Sequence, residues 1–110
     1  MYSKADAAHA LNRSALITAA LSGQDYEALR GLFDDRIHQP YREALIPKLS
    51  KVIGGGERAG ALGGFLSGSG SSILCLTLDS PEEVARAMQR QWADSEVRIL
   101  AVQNRGYRIC

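Results

Sequence analysis

Glycine is concentrated in one stretch of this sequence, and that stretch limits the folds open to the chain. Eight of the 11 glycines fall within residues 54–70, including a run of three at Gly54, Gly55 and Gly56. Glycine weakens helix and strand interiors, and it suits sharp turns and close approaches between backbone segments. We therefore expect the triple glycine to end a helix and the later glycines to shape a strand pair and its loop.

Apolar residues recur at helical spacing before this stretch. They predict a helix over residues 6–22, with Gly23 as the residue that ends it. Asp25 is expected to cap a second helix, and a third helix is expected to start at Pro47 and stop at the triple glycine. The apolar face of the second helix would consist of Tyr26, Leu29, Leu32 and Phe33.

The remaining pattern predicts a strand, a second strand, a helix and two further strands. Ser80, Pro81 and Glu83 form the strongest local signal, a capping box that opens the helix. This order does not alternate strand and helix, so we expect an α+β fold. The expected fold is a single domain over residues 1–110, a small and mainly antiparallel sheet with helices on one face. The four predicted strands cover residues 61–66, 72–78, 97–102 and 107–110.

Composition excludes several classes of function. Hydrophobic residues at 45% and charged residues at 23% are ordinary for a globular chain. A net charge of +1 gives no general electrostatic reason for binding nucleic acid or an anionic membrane. No apolar run reaches the ~20 residues of a membrane helix, and no signal peptide is evident. Cys75 and Cys110 match no metal-ligand spacing, so we expect free thiols and a cytoplasmic location.

A serine- and glycine-rich segment is the first candidate for chemistry. Its hydroxyl groups and unobstructed backbone N–H groups could cradle an anion. The segment lacks the lysine of a nucleotide-binding P-loop, and a strand follows it rather than a helix. The alternative is a plain connection between two strands. The residues concerned are Ser67, Gly68, Ser69 and Gly70.

A proline-stiffened segment, residues 38–42, is the second candidate. Pro40 restricts the backbone before it, so Arg42 would be held at a fixed angle. The planar guanidinium group is a natural partner for a carboxylate or a phosphate. The alternative is that Arg42 lies on the surface and that His38 is a partly buried structural residue.

The other reactive side chains favour structural roles. Arg13 lies within an apolar helix and needs a partner, for which Asp34 or Asp35 is suited. Cys75 has no histidine at a telling spacing, so a nucleophilic role is not expected. No pair of nucleophile and base emerges from the residues alone.

Two segments together resemble the small-molecule kinases of the GHMP family. Residues 60–72 are similar to the family's third motif, roughly G-A-x-G-A-x-x-S-G-A-G-P-S/T, with Ser69 and Ser71 replacing the usual alanine and proline. Residues 35–47 look like the homoserine kinase form, D-x-L-H-Q/E-P-x-R-x-x-L-I-P-G, with Lys48 where glycine is common. Nothing in the chain resembles the family's N-terminal ATP-binding loop.

The resemblance implies the C-terminal domain of a homoserine kinase, with a ferredoxin-like fold. The intact enzyme would transfer the γ-phosphate of ATP to the hydroxyl of homoserine. An N-terminal GHMP kinase domain would be the partner and would hold most of ATP and Mg²⁺, so no cofactor or metal is expected here. Arg42 and His38 would bind substrate, and the loop from Ser67 to Gly70 would lie near the phosphates. This chain alone would be inactive, and a homodimer is allowed.

Two other interpretations remain open at this stage. A stand-alone ferredoxin-like module could bind an amino acid and pair through its sheet as a regulatory domain. Another GHMP kinase, such as one acting on a mevalonate-type substrate, could carry the same glycine motif, although residues 38–42 argue against it.

Overall fold

The computed structural model describes residues 3–34, 46, 48–67 and 72–102. These residues form three α-helices, one turn of 3₁₀ helix and an antiparallel pair of strands, which confirms the α+β class. In chain order the elements are α1 (Lys4–Ser22), the 3₁₀ helix (Tyr26–Leu29), α2 (Leu49–Arg58), β1 (Gly63–Leu66), β2 (Ile73–Leu76) and α3 (Pro81–Gln91).

Helix α1 begins at Lys4, two residues before the predicted start, and ends at Ser22 as predicted. It begins with a capping box, in which the Ser3 hydroxyl accepts from the Asp6 N–H at 3.1 Å and the Asp6 carboxylate accepts from the Ser3 N–H. The left-handed residue after the helix is Gln24, with φ 57°, and its N–H donates to the Leu21 carbonyl at 3.2 Å. Gly23 directly follows the helix, as predicted, but its φ of −86° is not the left-handed conformation of a C′ glycine.

The predicted second helix is shortened to one 3₁₀ turn. Gly31 adopts φ +79°, a conformation that an α-helix cannot include. Asp25 makes no side-chain capping bond, so the prediction of a capped helix there was wrong. Leu29 is nevertheless 2% exposed and anchors an apolar cluster. The other members of that cluster are Ala20 and Leu62, with Ile17 and Phe33 packed against them.

Helix α2 contradicts the expectation that the triple glycine stops it. The helix starts at Leu49 rather than Pro47 and continues through all three glycines to Arg58. Gly55 and Gly56 are buried against neighbouring elements. A Cβ atom on Gly56 would lie 2.8 Å from the Cys75 Sγ, and one on Gly55 would lie 3.2 Å from the Ala87 carbonyl oxygen. Close packing of the helix therefore outweighs the intrinsic helix penalty of glycine, about 1 kcal/mol per residue.

The actual end of α2 is set by Gly60. Gly60 adopts φ +116°, its N–H donates to the Glu57 carbonyl at 3.1 Å, and the Ala61 N–H donates to the Gly56 carbonyl at 2.9 Å. This pair of bonds is a Schellman motif, which needs a left-handed residue and therefore favours glycine. A Cβ atom at Gly60 would also meet the Ser80 hydroxyl at 2.8 Å.

Helices α2 and α3 lie antiparallel. The Lys48 Nζ at the start of α2 lies 5.9 Å from the centre of the Trp92 ring, at the end of α3. Gly60 at the other end of α2 approaches Ser80 at the start of α3. The predicted capping box at Ser80 was wrong, because that side chain makes no capping bond and its hydroxyl lies 3.2 Å from the Thr77 Oγ1.

The two faces of the hairpin meet different parts of the chain. A Cβ atom on Gly64 would meet Ile53 of α2 at 3.1 Å, whereas one on Gly63 would meet the Phe33 ring at 2.7 Å. Phe33 also packs on Phe65, with ring centroids 5.2 Å apart. Glycines on both faces therefore let α2 and the Phe33 ring come close to the strands.

The third predicted strand is absent from the described part of the chain. Residues 97–102 follow α3 without strand pairing, and Ile99, Leu100 and Val102 are 54%, 78% and 92% exposed. A strand needs a partner edge and a surface on which to bury one face, and this segment has neither among the described residues. Residues 107–110, the fourth predicted strand, lie outside the described residues. No helix in residues 3–34, 48–67 and 72–102 is long and apolar enough to cross a membrane.

The fit between Gly56 and Cys75 can be tested with a double-mutant cycle. Gly56→Ala should lower the free energy of unfolding by about 1–3 kcal/mol, because the new methyl group would overlap the Cys75 Sγ. In a Cys75→Ala background the same change should cost little, because the nearest remaining Cys75 atom, Cβ, lies 3.5 Å away. Urea unfolding measures both values.

Gly54→Ala is the matched control for this cycle. A Cβ atom there would meet only the end of the flexible Arg58 side chain at 3.3 Å. This substitution should stabilise the protein by up to about 1 kcal/mol through helix propensity. Equal costs for Gly56→Ala with and without the Cys75 thiol would contradict the proposed packing.

Candidate functional site

The structure describes one of the site residues predicted from the sequence. Ser67 is exposed at the end of β1, and its N–H donates to the Ser72 carbonyl at 2.9 Å. That bond closes the hairpin, so the loop between them leaves from and returns to one end of the sheet. The other predicted site residues lie outside the described residues; they are His38, Arg42, Gly68, Ser69 and Gly70.

A polar cluster joins α1 to the segment before residues 35–42. We call His9, Arg13 and Asp34 the α1 cluster. The Arg13 Nε donates to the Asp34 Oδ1 at 2.7 Å, and its Nη2 lies 3.4 Å from the Oδ2. The His9 Nε2 lies 3.1 Å from the same Oδ2. The pairing of Arg13 with Asp34 confirms the structural ion pair expected from the sequence.

The charges of the α1 cluster reinforce one another. The hydrogen bond from Arg13 is the main reason that the pKa of Asp34 falls from 3.8 to about 2, with the His9 hydrogen bond adding to it. The Asp34 carboxylate in turn raises the pKa of Arg13. Asp34 therefore stays ionised at neutral pH, and an ionised carboxylate accepts hydrogen bonds from two side chains of one helix.

His9 is the residue of this cluster that sequence reasoning missed. Its side chain is only 8% exposed. Because the ionised Asp34 carboxylate can only accept, the Nε2 of His9 carries the donated proton. Its Nδ1 is buried and has no hydrogen-bond partner among the described residues. His9 and Arg13 are four residues apart on one helix face, and that spacing was the available signal.

The α1 cluster fixes where residues 35–42 begin. Asp34 is held against α1 by the two side chains, and the segment with His38 and Arg42 follows it directly in the chain. The third Arg13 nitrogen, Nη1, donates to the Asn12 Oδ1 at 2.9 Å, so both Asp34 and Asn12 set the orientation of the guanidinium group. This arrangement can position the segment that follows it in the chain, but the α1 cluster contains no nucleophile.

Cys75 is not suited to act as a nucleophile. Burial, with a smaller effect from the Glu57 charge, raises the pKa of the Cys75 thiol to about 11. The thiol is therefore neutral at physiological pH, and thiol chemistry requires the thiolate. Among residues 3–34, 48–67 and 72–102, no group of three His, Cys, Asp or Glu side chains is placed to hold a metal ion.

Comparison with known proteins identifies the family. The family described as GHMP kinases C terminal matches residues 7–94. The homoserine kinase of Aquifex aeolicus is 38% identical over 104 residues, which cover 90% of this chain and 35% of that protein. The homoserine kinase of Persephonella marina is 41% identical over 100 residues, which cover 87% and 33%. No solved structure gives a significant match.

The match to the family extends over most of the chain, so this chain belongs to the GHMP kinase C-terminal family. The chain spans about a third of the length of the curated relatives that it matches. The described architecture, helices with an antiparallel hairpin, is that of a small α+β domain of this family.

The pH dependence of stability should reveal the α1 cluster. Asp34→Asn should lower the free energy of unfolding at pH 7 by about 1 kcal/mol, since the carboxylate is half exposed and solvent screens the pair. The pKa of Asp34 is lower in the folded chain than its ordinary value of 3.8. The stabilisation is therefore present above about pH 4 and is lost as the pH falls toward about 2.

Urea unfolding of the wild type and the variant at pH 7, 5 and 3 measures this difference. Asp94→Asn, which removes an exposed carboxylate outside the α1 cluster, is the control. A wild-type advantage over Asp34→Asn that did not shrink below pH 4 would refute the ion pair.

Proposed function

We propose that this chain is the substrate-side domain of a homoserine kinase, an enzyme that transfers the γ-phosphate of ATP to the hydroxyl of homoserine. The main support is that the similarity to homoserine kinases covers about nine-tenths of the chain. A stand-alone amino-acid-binding module is less well supported, because these relatives are about three times longer than the matched region. The chain would act together with the N-terminal domain of such an enzyme.

In this proposal residues 38–42 bind the amino-acid substrate. Arg42 would hold the homoserine carboxylate through paired N–H donors, and His38 would orient the segment or contact the substrate. The α1 cluster supports this assignment indirectly, because it fixes Asp34 shortly before the segment. A substrate-binding loop whose entry is anchored loses less freedom when the substrate binds.

The loop from Ser67 to Gly70 would lie beside the phosphates of ATP. The closed hairpin ends at Ser67 and Ser72 support this role, since they hold both ends of the loop at the edge of a packed domain. Glycines allow a backbone to approach a phosphate closely. The loop would then complete a site whose other wall belongs to the N-terminal domain.

Mg²⁺ and most of the ATP contacts belong to that N-terminal domain in our proposal. Phosphoryl transfer depends mainly on positioning and charge stabilisation, so a domain that holds the acceptor can contribute without supplying a nucleophile or a metal ligand. The free thiol of Cys75 is compatible with a reducing, cytoplasmic setting.

A chimera tests the proposed activity. The chain would replace the matching C-terminal third of the Aquifex aeolicus homoserine kinase, and the product should phosphorylate homoserine in a coupled ATP assay. The isolated chain should show no activity. A folded chimera that binds Mg-ATP and phosphorylates mevalonate, but leaves homoserine unchanged, would overturn the proposal.

Arg42 can be tested in the same chimera. Arg42→Ala should raise the KM for homoserine much more than the KM for ATP, with a loss of about 2–4 kcal/mol in transition-state binding. Arg42→Lys should recover only part of it, because an ammonium group cannot form the same paired bonds. Equal effects on both substrates would indicate a structural role.

The glycine loop calls for a separate pair of variants. Gly68→Val should abolish turnover, because a branched side chain would intrude beside the phosphates, and should cost about 1–3 kcal/mol of stability if the backbone is strained. Ser69→Ala should change neither kcat nor the melting temperature, because alanine is usual at this place in the resembling motif. Near-normal turnover of Gly68→Val would make the loop a plain strand connection.

A further inference from the structure

The ring of Phe33 makes a close contact with strand β1. A Cβ atom on Gly63 would lie 2.7 Å from the Phe33 Cδ2, so the ring occupies space that any side chain at Gly63 would need. The Phe33 and Phe65 ring centroids lie 5.2 Å apart, with 33° between the ring planes. Gly63 and Phe65 are two residues apart on one strand and therefore face the same side of the hairpin. We call the contact of Phe33 with Gly63 and Phe65 the aromatic link.

The aromatic link is close in the chain to both candidate functional segments. Asp34 follows Phe33 directly and is the residue before the segment 35–42. Ser67, where the glycine loop begins, is two residues after Phe65, a distance of about 7 Å along an extended strand. A contact between two side chains therefore joins the start of one candidate segment to the start of the other.

The start of the first segment is held from two directions. Asp34 is bound by the other members of the α1 cluster, whereas Phe33 packs on β1 and on the apolar cluster around Leu29. The ion pair fixes this point of the chain relative to α1, and the aromatic link fixes it relative to the hairpin. Of these two contacts, the aromatic link is the one that relates the first segment directly to the strand that carries the loop.

We infer that Phe33, Gly63 and Phe65 are positioning residues for phosphoryl transfer, because they set the distance between the segment that binds the acceptor and the loop beside the phosphates. This inference rests on the proposed function, which supplies the roles of the two segments. Phosphoryl transfer needs the attacking oxygen in line with the leaving oxygen, and a misplacement of about 1 Å can cost about 100-fold in rate. A shift of the aromatic link would therefore slow the transfer even when each segment still bound its own substrate.

Gly63→Ala in the chimera with the Aquifex aeolicus N-terminal domain tests this role. The new methyl group would displace the Phe33 ring by about 1 Å, because 2.7 Å is that much shorter than an ordinary contact between carbon atoms. We expect kcat to fall about tenfold or more, whereas the dissociation constants of Mg-ATP and of the acceptor should change less than about threefold. Calorimetry measures these constants and, through the binding stoichiometry, the folded fraction. A purely structural role would lower the melting temperature and the folded fraction without changing kcat per folded molecule.

Phe33→Leu supplies the rescue for this variant. Leucine lacks the ring atoms that the new methyl group would meet, so it makes room at Gly63 while it keeps an apolar side chain at the site. Phe33→Leu alone should lower kcat about threefold, because it removes the ring that packs on Phe65. Adding Gly63→Ala in this background should lower kcat further by less than about twofold, since the two substitutions act on one contact. The double variant also keeps the test informative if Gly63→Ala alone folds poorly.

Gly55→Ala is the matched control. A Cβ atom there would meet the Gln91 Cγ at 3.0 Å and the Ala87 carbonyl oxygen at 3.2 Å, so this variant creates a clash between α2 and α3, away from the aromatic link. It should lower the melting temperature and leave kcat within about twofold of the unmodified chimera, because its cost is one of packing.

The contact itself can be measured in the isolated chain by NMR. Nuclear Overhauser effects are expected between the Phe33 ring protons and the Gly63 Hα protons, and their absence would overturn the inference whatever the chimera phosphorylates. An unchanged kcat for Gly63→Ala, an equal loss for Gly55→Ala, or an undiminished loss in the Phe33→Leu background would also overturn it. The expected kcat pattern in a chimera that phosphorylates mevalonate, but not homoserine, would support the positioning role and refute the proposed substrate.

Discussion

The close contact between α2 and the hairpin is the constraint on which the rest of this domain depends. Gly56 and Gly64 each leave room for the Cys75 side chain, which occupies the space where two Cβ atoms would otherwise be. This spacing brings α2 onto the strands and lets α3 pack beside it through Gly55 and Ala87. The same contact sets where the loop after Ser67 begins, because α2 holds the hairpin that carries this loop.

A second, electrostatic constraint orients the other half of the domain. The α1 cluster ties Asp34 to the first half of α1 through charge-assisted hydrogen bonds, whereas the apolar cluster around Leu29 holds the C-terminal end of the same helix by burial. The two predicted functional segments thus start from anchored points of different kinds. One begins after an ion pair on a helix, and the other begins at the end of a hairpin that is held by close packing.

The parts of the fold that depend on local chemistry could be predicted from the sequence. Periodicity predicted α1 and α3, and the short apolar runs predicted both strands of the hairpin. The need of a partly buried arginine for a partner predicted the pairing of Arg13 with Asp34. Two of the failures involve partners distant in sequence. The triple glycine remained helical because Cys75 and Ala87 pack on it. Residues 97–102 did not become a strand because no strand edge in the described part of the chain receives them.

The partial burial of Cys75 also makes the reactivity of its thiol a reporter of internal motion. Its sulfur packs against Gly56 of α2 and Gly64 of β1 and is protonated at neutral pH, so a reagent in solution should modify it more slowly than an exposed cysteine and faster when α2 and the hairpin separate. A change in the rate at which this thiol reacts therefore reports a change in how often α2 and the hairpin separate.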